Sequence, residues 1–312
     1  MMSLLTDLLA TAMLASGVLA LAGLGETLAQ RVGVFNLGME GLIAIGAVTA
    51  IITVNAVPNP YVGFLSSALV GLIFGCIFAG ATVLVRANQV LSGLALTFMG
   101  TGLGAWVGES YAGRPAAATF GKVVVPYLSD LPLIGKALFS QNILLYLIFI
   151  ILPIVLHFLL FKTRHGINMR AVGENPAAAD SAGIPVIPIR FFYVALGGAF
   201  SGAAGAYLTL AFVPSWTEGM VAGRGWIALA LVIFAGYRPY NVVFGALFFG
   251  IITSLGFVGQ AHNWPIAPAL LSMLPYLATV ILIVVPGLFS RRVRRFLAAP
   301  AALGQPYFRD ER

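Results

Sequence analysis

The chain has 312 residues, 60% of them hydrophobic and only 9% charged, against about 25% charged in a soluble domain; the composition excludes a water-soluble globular protein and points to a polytopic membrane protein. The formal net charge of +7 is not a nucleic-acid signal, because the basic residues lie between apolar runs, as the positive-inside rule places them. The one cysteine, Cys76, excludes an internal disulfide, and the three histidines, His157, His165 and His262, are too scattered for a metal site.

The first apolar run carries Asp7 and no basic leader, so it reads as a span rather than a cleaved signal peptide. Crossing a ~30 Å hydrocarbon core takes about 20 apolar residues. On that measure the chain predicts an all-α transmembrane bundle of about nine spans, over 4–24, 37–57, 63–85, 88–108, 142–161, 190–212, 221–236, 241–258 and 268–288. Residues 1–290 form the membrane domain and 291–312 a cytoplasmic tail, whose Arg291-Arg292-Val293-Arg294-Arg295 cluster suits anionic lipid. With the Lys162–Arg190 loop placed in the cytoplasm, thirteen Lys and Arg fall inside and four (Arg114, Lys122, Lys136 and Arg224) outside, which puts the N-terminus outside and the C-terminus inside.

The second span opens Gly33-Val34-Phe35-Asn36-Leu37-Gly38-Met39-Glu40-Gly41. Glycines there allow close helix approach. Glu40 either snorkels to the cytoplasmic interface, faces a polar cavity or gate, or makes a structural hydrogen bond to neighbouring backbone. Before the fourth span, Asn88, Gln89 and Ser92 either line a pore or cap the helix. The loop over 109–141 holds Pro115, Pro126 and Pro132 and reads as an external, non-helical connection or docking loop.

The polar interruption from Lys162 to Arg190 contains a short helix over 175–183. Asn175 suits the N-cap, Pro176 the first helical position, and Gly183 a left-handed stop. Such a helix is either an amphipathic connector on lipid headgroups or a ball for another protein's socket. The seventh span begins Glu218-Gly219-Met220-Val221-Ala222-Gly223-Arg224-Gly225-Trp226 and repeats the polar, glycine-rich opening of the second in the opposite direction, the pattern of an inverted repeat. Trp226 either stacks on an aromatic solute or belongs to the interfacial belt. No GxxxxGK(S/T) phosphate loop is present, and no paired carboxylates offer hydrolytic chemistry.

The stretch Thr163-Arg164-His165-Gly166, continuing Arg170-Ala171-Val172-Gly173-Glu174-Asn175-Pro176-Ala177-Ala178-Ala179-Asp180 and Ala182-Gly183-Ile184, resembles the coupling segment of ABC-importer permeases of the branched-chain amino acid, ribose and galactoside family. Gly33 to Gly41 and Ala87-Asn88-Gln89-Val90-Leu91-Ser92-Gly93 are similar to its nucleoside-uptake subgroup. The resemblance implies a cytoplasmic ABC ATPase that binds ATP and Mg, leaving this chain without a cofactor. It also implies a second homologous permease, an external substrate-binding protein, a bacterial inner-membrane location and an N-terminus lacking the extra span of the ribose-type members. Gly173, Glu174, Asn175, Pro176, Ala178, Ala179, Asp180 and Gly183 would meet the ATPase. Asn36, Glu40, Asn88, Gln89, Ser92 and Trp226 are candidates for the solute path. Sugars, branched-chain amino acids, or a proton-coupled carrier using Glu40 are the alternatives.

Overall fold

The computed structural model describes residues 2–129, 131, 135–288 and 298–309. Its helices are α1 (Met2–Arg31), α2 (Met39–Ala56), α3 (Pro60–Ala79) and α4 (Gln89–Gly108). A small region follows, with β1 (Lys122–Val124), α5 (Gly135–Phe139) and β2 (Ser140–Asn142). The second half holds α6 (Ile143–Tyr146), α7 (Leu152–Lys162), α8 (Arg164–Glu174), α9 (Pro176–Ser181), α10 (Val186–Tyr207), α11 (Arg224–Phe234), α12 (Pro239–Ala261) and α13 (Pro268–Leu288). Gly80–Leu84, Leu147–Ile151 and Leu208–Phe212 are five-residue π-helical stretches. The middle one ends just before Pro153, whose missing N–H breaks the regular helical ladder.

Seven helical stretches among the described residues are long and apolar enough to cross a membrane. The first runs from Leu5 to Arg31 and the sixth from Val186 to Phe212, both longer than the apolar runs that predicted them. α13, with 21 residues, has the length of a span. The span predicted over 221–236 is not one: α11 has 11 residues, ~16 Å at 1.5 Å per residue, about half of a ~30 Å core. Gly223 at φ +73° starts it and Gly236 at φ +60° follows it, so the apolar run is longer than the helix inside it.

The core is built where helices come close through small residues. An added Cβ on Gly202 of α10 would lie 2.3 Å from Ser67 O and 2.8 Å from Gly71 Cα of α3, and one on Gly198 would lie 2.6 Å from Gly75 Cα. Backbones pack directly at that crossing, which lipid-embedded helices use in place of a hydrophobic driving force. Around it α1, α2 and α10 bury Leu24, Leu28, Met39, Ile43 and Tyr207.

Contacts sort the helix ends onto two faces. Arg31 donates from Nε to Tyr237 O at 2.9 Å and lies over Phe161, as does Arg170. Burial pushes the Tyr237 phenol up to about 12, and Arg31 meets the backbone carbonyls of Tyr237 and Gly236 there. Arg86 lies over Phe308 and Arg190 donates to Gln305 O, so these basic ends share one face, the cytoplasmic one by the positive-inside rule. On the opposite face Ala112 and Pro115 bridge to Trp216 and Ser215, and Phe120 N donates to Leu210 O. The predicted loop over 109–141 is not bare connection: β1 and β2 pair antiparallel with Lys122 opposite Asn142. Arg224 stands half-buried at the start of α11, donating from Nη1 to Met220 O and Val221 O. The Arg291–Arg295 cluster and Arg312 lie outside the described residues.

Candidate functional site

Two helix starts meet inside the bundle. α2 begins at Met39 after the irregular segment 32–38, and α11 begins at Arg224 after the irregular segment 213–223. Glu40 joins them: Oε1 accepts from Gly223 N and Oε2 from Gly225 N, both at 2.7 Å. These N–H groups belong to the first turn of α11, which has no helical acceptor for them and carries the positive end of the helix dipole. The approach requires glycine, since a Cβ on Gly225 would come 2.5 Å from Glu40 N. Glu40 makes structural hydrogen bonds to backbone, with partners 183 and 185 residues away, and it also lines a cavity. The junction is deep: Gly41 packs on Gly100, whose added Cβ would be 2.4 Å from Gly41 O, and Gly100 lies eleven residues into α4, ~16 Å from its start.

The segment leading to α2 is irregular backbone that side chains satisfy, as membrane depth demands. Asn36, 2% exposed, accepts from Gly38 N through Oδ1 at 2.8 Å. Gln89 Oε1 accepts from Phe35 N at 2.8 Å, and Thr97 Oγ1 donates to Leu37 O at 2.9 Å. Glu26 Oε1 accepts from Asn36 N at 3.1 Å and from Gln30 Nε2 at 2.8 Å. Glu26, 2% exposed, is absent from the sequence candidates. Its signal was a carboxylate four residues before a glutamine at the end of a long apolar run, a helix pairing.

The remaining path candidates divide. Asn88 is exposed and caps α4, accepting from Val90 N and Leu91 N at 3.0 and 3.1 Å. Ser92 is half-buried one turn on. Trp226 is 48% exposed on the outside of α11 and is not gathered with Asn36, Glu40 and Gln89. A cavity of about 160 Å³ opens between α2, α4 and the 216–222 segment, lined by Glu40, Thr101, Trp216 and Glu218. A second, of about 460 Å³, lies at the cytoplasmic end beside Phe35, Arg86, Asn88 and Gln89. The Gly41–Gly100 and Leu37–Thr97 contacts stand between the levels of the two.

On the cytoplasmic face, α8 and α9 form a helical pair. The 164–174 stretch, read as loop, is helical because Gly166 and Gly173 let it press on neighbouring backbone, with Cβ positions 2.1 Å from Leu159 O and 2.2 Å from Arg31 O. α9 spans Pro176–Ser181, with Asn175 Oδ1 accepting from Ala178 N at 3.0 Å and Gly183 at φ +79° after it. Ala177 and Ala178 are exposed, while Ala179 is 3% exposed and packs inward. Glu174 Oε2 accepts from Ala301 N at 3.2 Å and Asp180 Oδ2 lies 3.4 Å from Arg309 Nε, so both acids engage this chain's own C-terminal segment. Among the described residues no group of three His, Cys, Asp or Glu could hold a metal ion.

Residues 8–285 match the family described as "Branched-chain amino acid transport system / permease component". The chain is 39% identical over 99% of its length and 99% of the relative's to the Haloferax volcanii protein named "Putative glucose ABC transporter permease protein TsgC13". It is 32% identical to the nucleoside ABC transporter permease protein NupC of Lactococcus lactis subsp. cremoris, covering 97% of both chains. To the guanosine ABC transporter permease protein NupQ of Bacillus subtilis it is also 32% identical, covering 94% of both. A bundle of membrane-length helices with a capped helix exposed on its basic face agrees with this likeness: the chain belongs to the branched-chain amino acid transport system permease family, and it is a multi-pass permease subunit of an ABC transporter, not an enzyme.

Proposed function

We propose that this chain is the route by which an ATP-driven importer of the bacterial inner membrane passes nucleosides handed over by an external binding protein. It works beside a second, homologous permease, and ATP and Mg are bound by the partner ATPase. The observation that carries the coupling half of this reading is α9, a helix with a side-chain cap at one end and a left-handed glycine after the other, presenting Ala177 and Ala178 to water. Small side chains at exposed helical positions leave room for the walls of a partner's groove. Gly173, Glu174, Asn175, Pro176, Ala178, Ala179, Asp180 and Gly183 form or flank this element, with Ala179 supporting it from behind.

The substrate half rests on near full-length likeness to the NupC and NupQ proteins. The likeness to TsgC13 favours a sugar as second reading; a nucleoside contains one. Solute affinity belongs to the binding protein, and the buried polar groups Asn36, Glu40 and Gln89 agree with that, being engaged with backbone. A proton-coupled carrier would need Glu40 free to exchange its proton, yet both oxygens hold the first turn of α11.

Uptake of labelled guanosine by cells carrying or lacking this gene, with adenosine, glucose, ribose or leucine as competitor, tests the proposal. Uptake lost on deletion and competed by adenosine alone is the expected result. Uptake competed by glucose or ribose moves the assignment to sugars, and uptake that survives ATP depletion but collapses with the proton gradient contradicts the ATP-driven reading.

A further inference from the structure

Residues 298–309 do not trail away from the membrane domain. They lie across its cytoplasmic face as a strap. Ala302 N donates to Gly173 O at 3.0 Å and Gly304 N to Gly33 O at 3.1 Å. Ala301 N donates to Glu174 Oε2 at 3.2 Å. Arg190, 3% exposed, donates from Nη1 to Gln305 O at 3.0 Å, and its Nε and Nη2 have no partner among the described residues. Arg86 stands 4.8 Å over the Phe308 ring, and Arg309 lies 3.4 Å from Asp180. The fit is close on both sides. Gly33 at φ +88° would bring a Cβ within 3.1 Å of Ala302 O, and Gly304 turns the strap at φ +80°.

These contacts reach elements that are distant in sequence. Residues 301–304 hold the end of α8 and Gly33, which lies three residues before the buried Asn36 and seven before Glu40, while Phe308 and Arg309 reach the entrance of α4 and Asp180 of α9. α9 has only six residues, fewer than an isolated helix needs to be stable, so a push on it is transmitted only as far as its supports are rigid. Backbone-to-backbone bonds make a stiffer support than side-chain contacts, because no rotamer can absorb the displacement. The strap also leaves Ala177 and Ala178 uncovered, so it does not compete with a partner for them.

We propose that the 298–309 strap is a positioning segment for transport: it makes α8–α9 and the Gly33–Glu40 segment move as one body, carrying displacement of α9 to the start of α2. This rests on reading α9 as the ATPase contact. The test uses the whole reconstituted transporter with guanosine or glucose, whichever the wild type takes up. It measures solute moved per ATP hydrolysed, permease content and co-isolated ATPase. Ala302→Glu puts a charge where a 4% exposed alanine sits, and a chain ending at residue 297 lacks the strap altogether. Both are expected to retain the ATPase and to lower uptake per ATP about tenfold, the scale of coupling changes along a contact network. A chain ending at Gln305 keeps both backbone pairs and is expected to lose only a few-fold. If the shorter chain is not recovered in membranes, the longer one and Ala302→Glu carry the test.

Unchanged uptake per ATP in these variants would overturn the proposal. Loss of the ATPase, with what remains still fully coupled, would also overturn it, since the strap would then belong to the docking surface. Ala178→Arg is scored apart: retention of ATPase and uptake by that variant removes the docking reading, whatever the strap variants do.

Discussion

The opening of α2 and the α8–α9 pair are both polar, glycine-bearing interruptions of an apolar chain, yet they spend their polarity in opposite directions. Inside the bundle Glu40, Asn36, Gln89 and Glu26 each hold backbone N–H groups of irregular segments or helix starts. At the cytoplasmic face Asn175 caps a helix whose Ala177 and Ala178 side chains stay in water. The difference follows from the solvent. Water satisfies a frayed helix end, whereas hydrocarbon does not, so a carboxylate at depth is first a backbone ligand. One region is a joint and the other a handle.

The sharpest way to break this comparison is at Glu40. Glu40→Ala leaves the buried N–H groups of Gly223 and Gly225 without acceptors, at about 1–3 kcal/mol each, and is expected to give the largest fall in the thermal midpoint of the purified permease. Glu40→Gln keeps one carbonyl acceptor and should recover roughly half of that loss. A Glu40→Gln protein of normal stability but without uptake would point to proton chemistry and break the account of the joint. Next in size, Gly225→Val drives a side chain into Glu40 N, 2.5 Å from the Cβ position, and should cost about 1–3 kcal/mol by overpacking, read in the same melt.

The handle should respond differently. Asn175→Ala removes the cap on α9, worth about 1 kcal/mol to that helix. It is expected to leave the global melt unchanged while uptake falls several-fold, and Asn175→Asp should restore uptake. A shifted melt with proportionate uptake would make α9 an ordinary structural helix. The smallest effect is expected from Arg309→Ala. The pair with Asp180 is 3.4 Å long and the arginine side chain 68% exposed, a setting in which ion pairs contribute about 0–1 kcal/mol. Neither melt nor uptake should change measurably, at low or high salt.

Much of this was legible in the residues. Apolar length placed the seven crossing helices, and Asn175-Pro176 with Gly183 bounded α9, because caps are local chemistry. α11 was misread because an apolar run does not show where the backbone turns: Gly223 and Gly236 at positive φ cut the helix to half a span. α8 was missed because its two glycines argue against a helix by propensity, while close backbone packing reverses that choice. Glu40's partners lie more than 180 residues away, and no local pattern names them. The strap has neither periodicity nor charge pattern to announce it; its contacts are mostly backbone, to which sequence is nearly blind.

The measurement that tests the central claim most directly is uptake and ATPase co-isolation for Ala178→Arg, a change at an exposed position of α9 that touches no core. The account predicts a permease present in the membrane at normal level and melting normally, with the ATPase no longer co-isolated and ATP-driven uptake abolished. Normal uptake with the ATPase still bound would contradict it.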